Sequence, residues 1–268
     1  MASGYCGIWL MTEALLPPFD QPDKDFNNIE GWTWIGTYGG YYLQCDLLSR
    51  FEHGFFTRLW PGRGPAELVG MISSGVSVHR PQQVHGGLVL PASAASQEPW
   101  PDADGLVSDG GGQSLWVCGA DCTPVLLADQ ASGRVAACHA GWRGVAAGIL
   151  AEAVQQLEQL GSKRANLLVA LGPAVSGRCY QVERSVSEQL GEVEALKLAG
   201  ALLPDPAPDR DRLDIRRAAV LQLQQLGLAD EQLSSCPLCT VSEPELFHSW
   251  RRDQVKAVQW SSIVSQAA

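Results

Sequence analysis

The sequence predicts an α/β fold of the α+β type, a single domain with a mixed β-sheet and packed helices. Three observations predict it. Short apolar runs of strand length recur, as at residues 114–118 and 124–128. Longer stretches carry apolar residues at helical spacing, as at 145–160. The two kinds follow one another without a regular βαβ beat, which argues against a doubly wound parallel sheet. At 268 residues, with 46% hydrophobic and 18% charged, the chain has ample material for a large core.

Residues 1–50 read as an N-terminal extension ahead of a domain over 51–268. They are rich in Trp, Tyr and Gly, as in Gly31-Trp32-Thr33-Trp34, and carry Pro17-Pro18, so an irregular segment with one strand at 41–48 is expected. A second strand is expected at 51–59 and a loop at 61–65, while 67–78 fits neither template. Residues 82–90 read as a strand broken by Gly86-Gly87, and 91–103, with Pro91, Pro99 and Pro101, as a surface loop. The runs 114–118 and 124–128 are buried strands, 129–133 a hairpin-like turn and 134–139 the next strand. A strong helix follows over 145–160, stopping near Gly161. Residues 166–171 form a strand and 185–201 a second amphipathic helix. Asp214 is placed to cap a helix over 215–226 that stops at Gly227, and 256–264 alternates as a final strand.

A formal charge of −10 disfavours a sequence-independent grip on nucleic acid or an anionic membrane, though a local basic pocket for phosphate stays open. No run approaches the length of a membrane-spanning helix. The start of the sequence lacks a basic segment leading into a long apolar core, so no secretory signal is expected and a cytoplasmic location is. The 8 cysteines are then expected to serve metal binding, catalysis or burial rather than a disulfide framework.

Three of the chain's polar residues stand out by context. His139 ends the apolar run Val135-Ala136-Ala137-Cys138 and precedes the turn Gly141-Trp142-Arg143-Gly144 into a helix. Cys122 lies between two apolar strands, where Pro124 interrupts regular pairing. His85 precedes Gly86-Gly87. Singly, each has an ordinary reading as a buried histidine, an inert cysteine or a turn. Together, two histidines and one cysteine suit zinc with a fourth position left open for water or substrate, the pattern of a catalytic site. Arg143 is placed to hold an anion such as phosphate. Asp121 could donate or accept a proton. Arg58 and the pair Arg251-Arg252 are further anion binders or solvated surface.

Other candidates read more plainly. Asp102-Ala103-Asp104-Gly105 is a loop and turn feature. Cys236-Pro237-Leu238-Cys239 has redox or zinc-knuckle spacing, but no second such pair accompanies it and burial is the simpler reading. Cys118 and Cys138 read as core. No dinucleotide-binding glycine motif, phosphate-binding P-loop or nucleophile elbow is present, which argues against a nucleotide-dependent oxidoreductase, an ATPase or an α/β-hydrolase.

Taken in order, several motifs resemble one family. They are His53-Gly54-Phe55-Phe56-Thr57-Arg58, Gln83-Val84-His85-Gly86, Ala120-Asp121-Cys122-Thr123-Pro124 and His139-Ala140-Gly141-Trp142-Arg143-Gly144. The series continues through Leu171-Gly172-Pro173, Tyr180-Gln181-Val182, Leu213-Asp214-Ile215, Cys239-Thr240 and Phe247-His248-Ser249-Trp250-Arg251-Arg252. The chain resembles the bacterial laccase-domain or polyphenol oxidase proteins, understood as multi-substrate purine nucleoside phosphorylases. The resemblance implies that family's α/β fold and a zinc site at His85, Cys122 and His139. It implies purine nucleosides and phosphate as substrates, with cleavage of adenosine, inosine, guanosine and methylthioadenosine, and hydrolytic deamination of adenosine. A monomer is expected. The chain departs from the family's pattern after Arg58, where Leu-Trp-Pro-Gly-Arg-Gly-Pro follows and the segment before His85 is short.

Three rival readings stand beside this one. Copper-dependent phenol oxidation would need paired histidine motifs, and the 5 histidines form none. A cysteine hydrolase could use Cys122 as nucleophile and His139 as base. A zinc-binding protein without catalysis would use the same three ligands.

Overall fold

A computed structural model describes residues 29–37 and 40–266. Two six-stranded mixed sheets form its centre. The first runs β1 (Trp32–Thr37), β2 (Gly40–Cys45), β3 (His53–Phe56), β15 (Gln259–Val264), β7 (Gln113–Gly119), β4 (Ser77–His79). The second runs β14 (Leu233–Ser235), β10 (Leu167–Leu171), β8 (Thr123–Asp129), β9 (Val135–Ala140), β6 (Gly105–Val107), β5 (Val89–Pro91). A small third sheet holds β11 (Gln181–Glu183), β13 (Arg210–Leu213) and β12 (Leu202–Pro204).

The alternation of side chains decides the layers. In β8, Leu126 and Ala128 join Leu43, Phe55, Leu115 and Ile263 in a core between the two large sheets. Val125 and Leu127 point to the opposite face and meet Ile149, Leu150 and Leu157 of the helix Ile149–Gln159, with Ala218, Ala219 and Leu223 of the helix Ile215–Gln225. Both faces of β8, β9 and β10 are therefore buried, which is why their sequences are continuous apolar runs rather than alternating ones. A smaller cluster of Tyr42, Phe56, Trp60, Leu68 and Trp116 covers the outer face of the first sheet.

The expected strands at 114–118, 124–128, 134–139 and 166–171 form, as do the turn after Asp129 and the capped helix from Ile215. Asp214 accepts the Arg217 N–H at 3.0 Å, as its position predicted. The segment read as an extension supplies two strands of the first sheet, and β2 pairs with β3. Its residues 1–28 lie outside the described residues.

Other expectations need correction. Residues 82–90 are not one strand: Gln82 makes an isolated bridge to Asp102, and only Val89 and Leu90 join β5. Segment 91–103 is not a plain surface loop, because Ala92, Ala95 and Ala103 are buried. The helix expected at 145–160 is divided into Trp142–Ala146 and Ile149–Gln159, since Gly148 takes a left-handed φ of +79°. The helix expected at 185–201 is likewise divided, with Gly191 at φ +127° between short helical turns. Among the described residues no helix is long and apolar enough to cross a membrane.

Candidate metal centre

Strand register brings the sequence-predicted ligands together. Cys122 immediately precedes β8, and His139 is the second-last residue of β9. Pro124 pairs with His139 across the two strands, so Cys122 and His139 sit at one end of the same ladder. Asp104 immediately precedes β6, whose Gly105 pairs with Cys138. The His139 N–H donates to the Asp104 carbonyl at 2.7 Å, fixing the two side by side.

His85 arrives on a turn that Asp104 itself builds. Asp104 Oδ1 accepts the His85 N–H at 3.0 Å, and Oδ2 accepts those of Val84 at 3.1 Å and Gly86 at 2.6 Å. Gathering three successive N–H groups on one carboxylate requires a tight backbone, and His85 takes a left-handed φ of 61°. That is why this stretch cannot run as a strand. The same Oδ1 accepts the Nδ1–H of His139 at 2.8 Å. The other ring nitrogen of His139 is thereby left to the site.

The donor atoms of His85, Cys122 and His139 all lie within 4.8 Å of one another. The two imidazole rings stand edge to face, with centroids 4.8 Å apart. His139 is buried, Cys122 half-buried and His85 exposed. Gly141 makes this closeness possible: a Cβ there would lie 2.9 Å from Cys122 Sγ and 3.5 Å from His85 Cδ2. Gly144 does the same for the backbone, since its Cβ would lie 2.9 Å from the Gly86 carbonyl oxygen.

The electrostatics favour a charged thiolate. Burial alone would push the Cys122 thiol up, but His139 and His85 outweigh it and hold the thiol down at about 6. Burial alone would push His139 down, yet the Cys122 thiolate and Asp104 raise it to about 9. Burial likewise works against the Asp104 carboxylate, and hydrogen bonds from His139 and Gly86 hold its pKa below the usual value. The Cys122 thiolate and the Asp104 carboxylate thus place negative charge on both sides of His139, which favours a cation there.

Asp121 lines a small cavity with Cys122, Gly141, Trp142, Val175, Tyr180 and Ile215. Its backbone takes a left-handed φ of 96°. One carboxylate oxygen accepts from Thr240 Oγ1 and the other from the Arg251 N–H, both at 2.6 Å. Arg143 stacks over the Trp142 ring at 4.3 Å and Arg251 over the Tyr180 ring at 4.9 Å. Burial and the Cys122 charge push the Tyr180 phenol up to about 12, while Arg251 and Arg143 pull the other way.

The remaining predicted residues make other contacts. Arg58 donates to the Pro244 carbonyl at 2.7 Å and lines neither of the two cavities at Cys122. Arg252 spends its donors on the carbonyls of Thr240, Val241 and Phe247 and on Asp253. Cys118 is half-buried, and Cys138, Cys236 and Cys239 are buried. The Cys239 sulfur accepts the Ser176 N–H at 3.3 Å. Asp104 is the residue that sequence reasoning misplaced, as a turn feature. Its partner His139 is 35 positions away, and only the β6–β9 register joins them.

Residues 66–265 match a family model described as multi-copper polyphenol oxidoreductase laccase. The chain belongs to this laccase-like family. It is 42% identical over 256 residues to a Synechocystis sp. protein named purine nucleoside phosphorylase slr1573, covering 87% of this chain and 97% of that one. It is 38% identical over 175 residues to purine nucleoside phosphorylase YfiH of Shigella flexneri, covering 65% of this chain and 68% of the relative. Among solved structures, YfiH of Bacillus licheniformis superposes with a TM-score of 0.76 at 24% identity, over 87% of this chain and 98% of that one. YlmD of Geobacillus stearothermophilus gives 0.74 at 24%, with the same coverage. The laccase-like chain thus shares the fold of these two structures.

Proposed function

We propose that this chain is a zinc-dependent purine nucleoside phosphorylase working at His85, Cys122 and His139. The observation that carries the reading is the convergence of these three donors in a chain 42% identical to a protein named purine nucleoside phosphorylase. The proposed reaction splits adenosine, inosine or guanosine with phosphate into free base and ribose 1-phosphate, and methylthioadenosine into adenine and methylthioribose 1-phosphate. Hydrolytic deamination of adenosine is a proposed second activity.

The donor set fits zinc. Bonds of about 2.0–2.3 Å place donors roughly 3.5 Å apart around a tetrahedral ion. Donor atoms already within 4.8 Å need only a small inward movement. When bound, zinc would supply a Lewis acid and lower the pKa of water in its open position. Asp104 orients His139 and shapes the turn of His85, the outer partner that metal-binding histidines commonly have. Arg143, stacked on Trp142, and Arg251, stacked on Tyr180, would hold phosphate. Asp121, steadied by Thr240 and the Arg251 N–H, would carry a proton to the departing base. The two cavities at Cys122 measure about 10 Å³ and 20 Å³, each no larger than a water, so a nucleoside would approach from the open side where His85 is exposed.

The test incubates zinc-loaded protein with adenosine, inosine and methylthioadenosine, with and without phosphate, and separates the products by chromatography. Free base formed only with phosphate supports the phosphorylase. Inosine formed from adenosine without phosphate supports the deaminase. Absence of product from metal-loaded protein counts against both.

One observation favours a second reading. Cys122, His139 and Asp104 form a nucleophile–base–carboxylate series with a low-pKa thiol, the arrangement a cysteine hydrolase needs. Bound metal would occupy the thiolate. Protection of Cys122 from iodoacetamide by stoichiometric zinc separates the two schemes. Copper phenol oxidation finds less support, because His53 and His79 spend both ring nitrogens on other partners rather than on this centre.

A further inference from the structure

A second cavity, of about 370 Å³, lies across the segment 175–178 from the candidate metal centre. Val175 and Ile215 line the cavity at Cys122, while their neighbours Ser176, Gly177, Arg178, Arg216 and Arg217 line this one. The two cavities have no lining residue in common. A volume of this size is in the range of small-molecule sites.

Its charge is unlike that of the rest of the chain. In a protein of formal charge −10, three arginines face one cavity. The single carboxylate on its wall, Asp214, has Oδ1 committed to the Arg217 N–H as a helix cap. Arg178 is exposed and makes no side-chain hydrogen bond or ion pair with a described residue. Arg217 spends Nε on the Ala199 carbonyl. The helix Ile215–Gln225 begins here and turns the positive end of its dipole toward the cavity.

Arg216 is the decisive residue. It is only 5% exposed, and Nη1 donates to the carbonyls of Cys236 and Leu238. No carboxylate among the described residues pairs with it. Its Nε and Nη2 make no hydrogen bond with a described residue, neither is fully enclosed, and Arg216 lines the cavity. A nearly buried guanidinium without a counter-ion is costly unless an anion completes it. Leu203, Val220 and Pro237 add apolar surface to the cavity's lining.

We propose that this cavity binds a phosphorylated small molecule, separately from the metal centre. The phosphate sits on the free donors of Arg216 with Arg178 and Arg217 beside it, and the apolar surface takes the rest of the ligand. Inorganic pyrophosphate is the probe, titrated by calorimetry into metal-loaded wild type and into the double variant Arg178→Ala/Arg217→Ala. Both side chains are exposed, so the variant should fold, and its metal content should not change. Besides any binding at the metal centre, one saturable site is expected that persists in Cys122→Ala and is weakened roughly tenfold or more in the double variant, as two charge-assisted contacts are lost. Arg216→Lys, which keeps the charge but loses the fork, should weaken binding as well. No saturable binding to the wild type, or equal affinity in both proteins, overturns the proposal. Binding that survives the double variant and disappears in Cys122→Ala places the anion at the metal centre and overturns it too.

Discussion

Asp104 Oδ1 accepts the Nδ1–H of His139 at 2.8 Å and the backbone N–H of His85 at 3.0 Å, so one buried carboxylate oxygen positions both histidines of the site. Replacing it by asparagine keeps the shape but removes the charge and one acceptor oxygen. Asp104→Asn should lower metal affinity by roughly 10–100-fold, the usual effect of losing an outer partner. A chelator competition titration measures it. Unchanged affinity would mean that Asp104 serves the turn alone.

Gly141 has an ordinary extended backbone (φ −73°, ψ 166°), so an alanine there strains nothing but the space beside Cys122. Its Cβ would lie 2.9 Å from the sulfur. Gly141→Ala should cost about 1–3 kcal/mol in stability, as overpacking does, and displace the thiolate. Metal content by mass spectrometry should fall while the circular dichroism spectrum is kept. Full metal occupancy in the variant would show that the sulfur has room to move.

His53 ties β2 to β3 in its neutral form: the Cys45 N–H donates to its Nε2, and its Nδ1–H donates to the Phe51 carbonyl, both at 2.8 Å. Burial pushes its pKa below the ordinary 6.5. As pH falls the unfolded chain takes up this proton first, so the stability His53 contributes is full above 6.5 and is lost below it. The urea midpoint should therefore drop between about pH 7.5 and about pH 5.5, and drop less steeply in His53→Gln. Parallel slopes in the two proteins would remove His53 as the cause.

Asp214 caps the helix Ile215–Gln225, whose Ala218, Ala219 and Leu223 are buried. Asp214→Ala should cost about 0.5–2 kcal/mol. Thermal or urea unfolding checks this, and a loss within error would mean that another acceptor takes over the Arg217 N–H.

The candidate ligands were legible from local context: His139 ends an apolar run before Gly141, His85 precedes Gly86-Gly87, and Cys122 lies between two apolar runs beside Pro124. Asp104 was not, because its meaning lies in a cross-strand register between β6 and β9. The helix at 145–160 shows the same divide. Its apolar spacing picked out Ile149, Leu150, Val154, Leu157 and Leu160; the first four are buried, and Leu160, past the end of the helix, is exposed. The break came from Gly148, whose left-handed φ no periodicity reveals. Residues 82–90 read as a strand broken by Gly86-Gly87. Three backbone N–H groups drawn to Asp104 turn that stretch into a ligand-bearing loop instead.

The most direct test of the central claim is release of hypoxanthine and ribose 1-phosphate from inosine, compared between zinc-loaded wild type and Cys122→Ala. The account predicts equimolar products from the wild type only when phosphate is present, and none from the variant. Products formed without phosphate, or undiminished in Cys122→Ala, would contradict it.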